Sequence, residues 1–244
     1  MGPQHWWPAA SAFEVVVGAY LTQNTAWTNV EQAIANLRSA GVLSIPGIRE
    51  SAIEELEQLV RPAGYFRQKA ARLKRFVNHL DTRYGGSLDA MFARPANALR
   101  EELLALNGIG PETADSILLY AASREVFVVD AYTRRILERH GLARAGAGYE
   151  QIRAEVETAL TGYGEEIEAA PESVNPAGAG GRVTAPPVHP PSAASSMARS
   201  ELSRRYNEFH GLLVQIGKHY CAKAAPRCES CPLRPFLPPG AQPQ

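Results

Sequence analysis

One stretch, LNGIGPETADSILLYA at residues 106–121, places two glycines and a proline before an apolar-periodic run. We expect one helix to end at Leu106 and another to begin with Pro111, because a missing N–H has no cost at the first helical position. The turn between them contains Gly108 and Gly110, which permit positive φ and leave no Cβ in the way. Backbone N–H groups at such a helix start attract anions, and a duplex phosphate fits them without any reading of base sequence. The spacing predicts a DNA-binding helix-hairpin-helix; the alternative is an ordinary helix turn with a glycine cap.

A second candidate is Asp130, which ends the apolar run EVFVV and begins the run AYTRRILERHGL. This position predicts an N-cap, whose carboxylate accepts backbone N–H bonds from residues two or three positions further on. Such bonds favour the ionised form of a carboxylate. The sequence therefore predicts a capping aspartate that carries a negative charge.

The three cysteines of the chain, Cys221, Cys228 and Cys231, lie in one short segment near its C-terminal end. An odd number crowded together argues against a disulfide framework and leaves a metal or cluster site, or no special role. Six residues separate Cys221 from Cys228, and two separate Cys228 from Cys231.

The remainder of the 244-residue chain must supply the helices that position these residues. Apolar residues recur with helical period between glycine and proline breaks, which indicates an all-α protein. The net charge of zero gives no sign of a nucleic-acid partner, and the basic clusters at 67–75 and 134–139 favour solvated helix faces over phosphate contacts. No signal peptide or membrane-spanning stretch is visible, so we expect a cytoplasmic protein. The predicted helices span residues 13–22, 28–38, 51–60, 68–80, 98–106, 112–122, 132–140, 152–160 and 201–216.

Residues 165–200 have a different composition, with the runs PAGAGG and APPVHPPSAASS and almost no aromatic or large apolar residue. Such a segment cannot bury enough surface to offset its ordering entropy. We predict a disordered insertion at 165–200 between two helices, and a frayed, proline-rich segment after Pro232.

Several motifs in a fixed order resemble the helix-hairpin-helix DNA glycosylases of the endonuclease III superfamily. They are LTQNT at 21–25, GYFRQKAARL at 64–73, LNGIGPETA at 106–114, VVDAYTRR at 128–135, and the cysteine segment. The resemblance runs from about Phe13 to Pro232 and implies an all-α, two-lobed fold. A central lobe at 13–128 would carry the hairpin, and residues 1–12 with 129–232 would form the second lobe. It also implies a nucleoid-associated monomer whose partner is double-stranded DNA with a flipped-out damaged base.

The resemblance assigns the chemistry to Asp130, which matches the family's catalytic carboxylate. As the base leaves, positive charge develops on the sugar, and a carboxylate stabilises that charge and orients the attacking water. Bifunctional members have a lysine that forms a Schiff base where this chain has Glu112, and a carboxylate cannot form an imine. None of the four lysines lies near the hairpin in sequence. We therefore expect a monofunctional glycosylase without lyase activity.

The sequence is similar to the 3-methyladenine glycosylase (MagIII-type) branch, in which WWP, LTQNT and GIGPETADSILLYA occur together. This likeness makes Trp7, Pro8 and Trp27 base-pocket candidates, and two indoles could sandwich a flipped base. A cationic N-alkylated purine over an indole face gains about 0.5–2 kcal/mol. Gln23 or Asn24 would fill the gap left by the extruded nucleotide. Contacts with the DNA backbone would come from Gly108, Ile109, Gly110 and Thr113.

Two other functions remain open at this point, and so does a structural role for the tryptophans, which usually belong to a core. One is a monofunctional glycosylase for damaged or mismatched pyrimidines, with a pocket built from polar groups. The other is a non-catalytic DNA-binding protein that uses the hairpin alone.

In family members with a [4Fe–4S] cluster, a fourth cysteine follows Cys231 after five residues, but Leu237 occupies that position here. The possibilities are a cluster with a non-cysteine fourth ligand, a remnant of the site held by packing, and a zinc site that uses His219. A cluster would have a structural role: it would fix the C-terminal loop, where basic residues could meet phosphates. These basic residues are Lys218, Lys223 and Arg227.

Overall fold

The computed structural model describes residues 4–169 and 189–238, and every regular element in these ranges is helical. The all-α prediction is therefore confirmed. No helix in the described ranges is long and apolar enough to cross a bilayer. The α-helices are α1 (Ala12–Leu21), α2 (Trp27–Ser39), α3 (Ile45–Glu50), α4 (Ile53–Leu59), α5 (Phe66–Tyr84), α6 (Leu88–Phe92), α7 (Ala96–Leu104), α8 (Pro111–Ser116), α9 (Ala131–Arg139), α10 (Tyr149–Ala169) and α11 (Glu201–His219).

The chain divides into two compact units. The hairpin unit comprises residues 7–124 and 192–197, so it holds α1 to α8. The cysteine unit comprises the described residues 4–6, 125–169, 189–191 and 198–238, and it holds α9 to α11 and the three cysteines.

Helix α1 lies at the centre of the hairpin unit, because nine of its ten residues are buried. It begins after Ser11, whose Oγ accepts a hydrogen bond from the backbone N–H of Glu14 at 3.1 Å. The Glu14 carboxylate is itself buried and pairs with Arg38 of α2 at 2.7 Å. A cap and a paired carboxylate thus allow an almost wholly apolar helix to start inside the core.

Lys69 of α5 fixes the chain that follows α1. Its side chain is only 1% exposed, and its Nζ donates hydrogen bonds to three backbone carbonyls. These belong to Leu21 at 2.9 Å, Gln23 at 2.9 Å and Ala63 at 2.7 Å. An ammonium group has three donors, so each is satisfied in the core and carbonyls at the end of α1 gain a partner.

A buried ion pair joins the two helices on either side of the glycine turn. Nε and Nη2 of Arg100 in α7 donate to the Asp115 carboxylate of α8 at 2.6 and 3.1 Å, and Asp115 has no exposed surface. This two-bond geometry fixes the angle between α7 and α8. After Ser116 the chain widens into a π-helical turn at Ile117–Ala121, where the sequence had predicted a continuous α-helix over 112–122.

In the cysteine unit, α9 packs closely against α11. A Cβ on Gly217 of α11 would lie 2.3 Å from the Tyr132 ring of α9, so a larger residue at this position does not fit. Helix α11 begins after Ser200, whose Oγ accepts a bond from the N–H of Ser203 at 3.2 Å. The close approach aligns the start of α9, where Asp130 lies, with the middle of α11.

The described ends of the predicted insertion are folded. Residues 165–169 continue α10, and residues 189–200 contain a turn in which Ala194 is buried and donates its N–H to the carbonyl of Ala9 at 3.0 Å. These contacts are non-local, so the composition of the segment did not indicate them. The rest of the predicted insertion, 170–188, lies outside the described residues. In the segment after Pro232, Arg234–Phe236 forms a 3-10 turn, and residues 239–244 also lie outside the described ranges.

Candidate functional site

The glycine turn has the geometry that its sequence predicts. Gly108 has φ +88°, and Gly110 is the N-cap of α8, with Pro111 at its first position. A Cβ on Gly108 would lie 2.1 Å from Nε of Arg72, so this position excludes side chains for two independent reasons. Ile109 of the same turn is buried and contributes its side chain to the core. The predicted helix-hairpin-helix is thus present.

Gln23 of the LTQNT motif contacts this turn directly. Its Nε2 donates to the Gly108 carbonyl at 2.8 Å and to Oγ1 of Thr113 at 3.0 Å, and its Oε1 accepts from Arg72 at 2.7 Å. The amide of Gln23 therefore orders the turn in this conformation. Asn24, the other residue predicted to fill the gap in DNA, is exposed and has a left-handed backbone with φ +53°.

The basic cluster on α5 has a structural role that the sequence did not indicate. Besides Lys69 and Arg72, Arg75 donates to Oδ1 of Asn107 at 2.9 Å, and Lys74 bonds the backbone carbonyls of Arg49 and Ser51. These side chains support the glycine turn and neighbouring loops. The expected solvated helix face is wrong for Lys69, which is buried, and for Arg72, whose guanidinium bonds Gln23. Arg67 and Arg75 of the same cluster are exposed, as expected.

The aromatic candidates form one cluster in the hairpin unit. The Trp7 ring lies 5.1 Å from the Tyr120 ring of the π-helical turn and 5.6 Å from the Trp27 ring, measured between centroids. Trp7 is buried, whereas Trp27 and Pro8 are half-buried. The two indole planes are almost perpendicular, at 87°. A flat base cannot lie between them in this arrangement, so the sandwich expected from sequence is not present here.

Trp7 has an unusual backbone conformation, with φ +62°. Ser192 holds this part of the chain: its Oγ donates to the Trp7 carbonyl and accepts from the N–H of Ala9, both at 3.3 Å. A left-handed non-glycine residue costs about 1–3 kcal/mol and persists only where its surroundings fix it. The turn at residues 192–197 therefore fixes the backbone of Trp7 and, with it, the position of the Trp7 ring in the aromatic cluster.

Asp130 is the N-cap of α9, as predicted. Its Oδ1 accepts the backbone N–H of Thr133 at 2.7 Å. Its Oδ2 lies 3.7 Å from Nε2 of His210 in α11. Burial lowers the pKa of His210, and the attraction of Asp130 opposes this shift only in part. The imidazole is therefore neutral at neutral pH, and it does not cancel the charge of Asp130.

His210 is not among the residues predicted from the sequence. A signal was available, because His210 follows Tyr206 by four residues and precedes Val214 by four on the buried stripe of α11. A titratable residue on an apolar helix stripe indicates a functional role only once the group that it contacts is known. That partner, Asp130, is 80 residues away in the chain.

Glu112 lies in the first turn of α8 and is exposed. Three of the four lysines have defined contacts elsewhere: Lys69 and Lys74 bond backbone carbonyls, and Lys218 lies 5.2 Å above the Trp6 ring. Residues 106–121 contain no lysine. That Glu112 takes the place of a lyase lysine stays a prediction from the resemblance.

The three cysteines line a single cavity in the cysteine unit, together with Arg139, His140 and Leu237. Nη1 of Arg139 donates to Sγ of Cys221 at 3.2 Å. Burial raises the pKa of the Cys231 thiol, and hydrogen bonds from the backbone at Leu233 and Arg234 oppose this shift only in part. Within the described ranges, no group of three or more histidine, cysteine or acidic side chains is arranged to hold a metal ion. His219, the zinc ligand considered from sequence, does not line this cavity.

The cavity brings the three thiols together but does not supply a fourth cysteine. A single tetrahedral zinc needs its four donors within about 2.0–2.3 Å of one point, and the described residues contain no such group. Leu237 lines the cavity at the fourth-cysteine position and supplies no donor. Three thiols that line one cavity are compatible with the ligands of a cluster, whose fourth ligand would come from another residue.

Residues 17–161 match the HhH-GPD superfamily of base excision DNA repair proteins. The chain belongs to this family. The resemblance to the endonuclease III superfamily and the predicted fold are thereby confirmed, and this HhH-GPD chain is a member of a family of DNA glycosylases.

Three similar proteins cover most of this HhH-GPD chain. The chain is 38% identical over 236 residues to MJ1434 of Methanocaldococcus jannaschii, which is provisionally named a DNA repair glycosylase, with 96% of this chain and 89% of that protein covered. The structure of Helicobacter pylori 3-methyladenine DNA glycosylase (MagIII) bound to 1,N6-ethenoadenine matches with a TM-score of 0.69 and 28% identity, over 89% of each chain. Endonuclease III of Thermotoga maritima is 26% identical over 223 residues, which cover 91% of this chain and 80% of that protein.

Proposed function

We propose that this HhH-GPD protein is a monofunctional DNA glycosylase that hydrolyses the N-glycosidic bond of N-alkylated purines such as 3-methyladenine in double-stranded DNA. The observation that carries the proposal is Asp130, whose carboxylate caps α9 through one oxygen and lies beside a neutral, buried His210 through the other. Oδ1 accepts the Thr133 N–H and so holds the carboxylate in place. Oδ2 is then the oxygen proposed to face the sugar and the attacking water.

Hydrolysis does not require the protein to protonate the base when the base is already cationic. As the glycosidic bond breaks, its electron pair leaves with the purine, which departs as a neutral base. Positive charge passes to the sugar, and the Asp130 carboxylate stabilises it. Water then bonds to the sugar carbon, and Asp130 accepts the proton that the water loses. The products are a free base and an abasic site, and no general acid is needed.

The absence of a lyase step follows from Glu112. A Schiff base requires an amine, and this position offers a carboxylate instead. We therefore propose that water, and not a side chain, attacks the sugar, so that the DNA strand stays intact after base release.

The preference for alkylated purines is supported by the aromatic cluster and by the similarity to MagIII. Trp27 is the half-buried ring of the cluster, and Trp7 and Pro8 are the other two residues predicted for the pocket. A cationic base that stacked on the Trp27 indole would gain cation–π stabilisation. Because the indoles are perpendicular, we propose stacking on one face of Trp27 in place of a sandwich. The similarity to endonuclease III favours the second candidate, a glycosylase for damaged pyrimidines.

We propose that the glycine turn binds a phosphate of the duplex through the backbone amides around Gly108 and Gly110, while Ile109 and Thr113 hold the turn from inside. Asn24 is then the residue that fills the gap left by the flipped nucleotide, because Gln23 is bonded to the turn. A DNA substrate also implies that the protein works on the nucleoid. The protein would act as a monomer.

Cys221, Cys228 and Cys231 would hold a [4Fe–4S] cluster, which would supply a structural cross-link. Without it, the 3-10 turns at Cys228–Ser230 and Arg234–Phe236 have few apolar contacts of their own, since neither contains a buried residue. The chain keeps Lys223 and Arg227 in this loop, where they could meet DNA phosphates.

The decisive experiment measures free bases released from alkylated duplex DNA and from duplexes with oxidised or mismatched pyrimidines. We expect release of 3-methyladenine and no covalent capture of the wild-type protein on DNA by borohydride. Asp130→Asn should reduce release by about 10²-fold or more while keeping DNA affinity, since asparagine also caps a helix. Release of oxidised pyrimidines alone would overturn the substrate, and no release of any base would overturn the enzyme.

A second experiment tests the pocket. Trp27→Ala should strongly reduce release of 3-methyladenine, while Tyr65→Ala, which removes an exposed ring from the same unit, should leave it unchanged. Equal rates for Trp27→Ala and wild type would contradict stacking on Trp27.

A further inference from the structure

We propose that His140 is the fourth ligand of the cluster held by Cys221, Cys228 and Cys231. This assignment rests on the cluster proposed above and is independent of the substrate and of the glycosylase reaction.

His140 lines the same cavity as the three thiols. It is the residue that ends α9, so its backbone position is fixed by a helix that packs on α11. The remaining walls of the cavity are Ile136, Arg139, Ile216, Tyr220, Arg234 and Leu237. Apart from the cysteines, only His140 among the lining residues has a side chain of the type that ligates iron–sulfur clusters.

The hydrogen bond of the imidazole supports this role. Nδ1 of His140 lies 3.2 Å from the carbonyl oxygen of Phe236. A carbonyl only accepts, so Nδ1 is the donor of this bond and Nε2 is the ring nitrogen left to bind a metal. Ligating histidines usually donate their other ring N–H to a backbone carbonyl or carboxylate in this way, which fixes the tautomer and orients the ring.

The same hydrogen bond attaches the loop to α9 next to the position of the missing fourth cysteine. Phe236 directly precedes Leu237, which stands at the position of the missing cysteine. His140 thus ties the end of α9 to the chain at the point where the family's fourth thiolate would have anchored it to the metal. His219 lacks this arrangement, because it does not line the cavity.

One arginine at the cavity offsets part of the charge of the thiolates. Arg139 donates to Sγ of Cys221, and a hydrogen bond to a ligand sulfur stabilises the thiolate and raises the reduction potential of a cluster. Arg234 also lines the cavity, but it pairs with Glu229 at 2.6 Å. A neutral imidazole in place of a fourth thiolate makes the site one charge less negative, and a higher potential follows.

The test uses the full chain, purified without oxygen and reconstituted with ferrous iron and sulfide. The wild type should be brown, with equal iron and acid-labile sulfide, and pulsed electron paramagnetic resonance of the reduced cluster should detect nitrogen coupling from the imidazole. A colourless, iron-free protein, or one that holds zinc, would overturn both the cluster and the ligand. A four-iron cluster without nitrogen coupling would overturn His140 alone.

Variants provide a second line of test. His140→Ala should lose the iron that His140 holds and show the resonance of a three-iron cluster after oxidation. The double variant His140→Ala with Leu237→Cys should regain a four-iron cluster, now without nitrogen coupling and with a lower reduction potential than the wild type. This double variant separates loss of a ligand from loss of folding. A four-iron cluster of unchanged spectrum and potential in His140→Ala would overturn the assignment. None of these readouts involves base release, so failure of the proposed enzyme and failure of this ligand are distinguishable.

Discussion

Nε2 of His210 lies 3.7 Å from Oδ2 of Asp130, and both side chains are largely buried in the cysteine unit. Burial lowers the pKa of His210, so the pair is a carboxylate beside a neutral imidazole at neutral pH. His210 therefore does not place a positive charge next to the Asp130 carboxylate. This relationship gives the first prediction.

Stability should fall on acidification partly because of His210. Above its usual pKa of about 6.5 the imidazole is neutral in both the folded and the unfolded chain. Below that pH the unfolded chain takes up the proton first, because the folded pKa is lower, and the free energy of unfolding decreases. We expect His210→Gln to lose less stability than wild type between about pH 8 and pH 5.5, measured by denaturant unfolding. His219→Gln, at an exposed position of the same helix, is the control and should follow the wild type. Parallel losses in His210→Gln and wild type would contradict the buried, neutral imidazole.

Gly108→Ala should destabilise the hairpin unit by about 2–4 kcal/mol, the sum of left-handed backbone strain and overpacking against Arg72. Gly110→Ala is the matched control in the same turn. Its φ is −99° and no atom lies within 4 Å of an added Cβ, so only a weaker N-cap is expected, at under about 1 kcal/mol. Thermal unfolding and affinity for duplex DNA measure both variants. Equal effects would show that the turn tolerates a side chain at position 108.

Ser192→Ala should loosen the aromatic cluster. The hydroxyl bonds both sides of the Trp7–Pro8 peptide segment, and its loss removes about 1 kcal/mol per bond and frees Trp7 to leave its left-handed conformation. We expect faster quenching of tryptophan fluorescence by acrylamide and slower release of alkylated purine. Ser196→Ala, an exposed residue of the same turn, should change neither quantity. Identical quenching in all three proteins would remove Ser192 from the description of the pocket.

Glu112→Lys should introduce the amine that the hairpin lacks. If the glycosylase reaction is as proposed, an amine at this position can attack the sugar, and borohydride should then capture the variant on damaged DNA. Glu101→Lys, an exposed change of the same charge in α7, should not be captured. Capture of the wild type, or of Glu101→Lys, would contradict the monofunctional mechanism.

Local rules accounted for the features that depend on a few neighbouring residues. The glycine turn, the cap at Asp130 and the long helices followed from glycine and proline chemistry, capping and helical period. The short helices α3 and α6 were missed, although Ser44 and Ser87 cap them and signalled both starts.

The features that sequence reasoning missed are those fixed by distant partners. Lys69 and Arg72 are basic residues on a polar helix face until the carbonyls and Gln23 that accept their bonds are known. His140 and His210 are likewise uninformative without the loop and the helix that they face. The burial of a side chain and its hydrogen-bond partners depend on the tertiary structure, so the spacing of residues along one helix does not predict them.

The glycine turn at 106–110 owes its shape to residues far outside it. Because Arg72 occupies the space above Gly108 and Gln23 bonds its carbonyl, transplanting residues 96–121 into a foreign scaffold would leave behind the parts that shape it. A transplanted turn would keep this shape only if α5 and the residues that follow α1 were moved with it. For the same reason, substitutions at 23, 72 and 108 should be accepted during evolution only in combination.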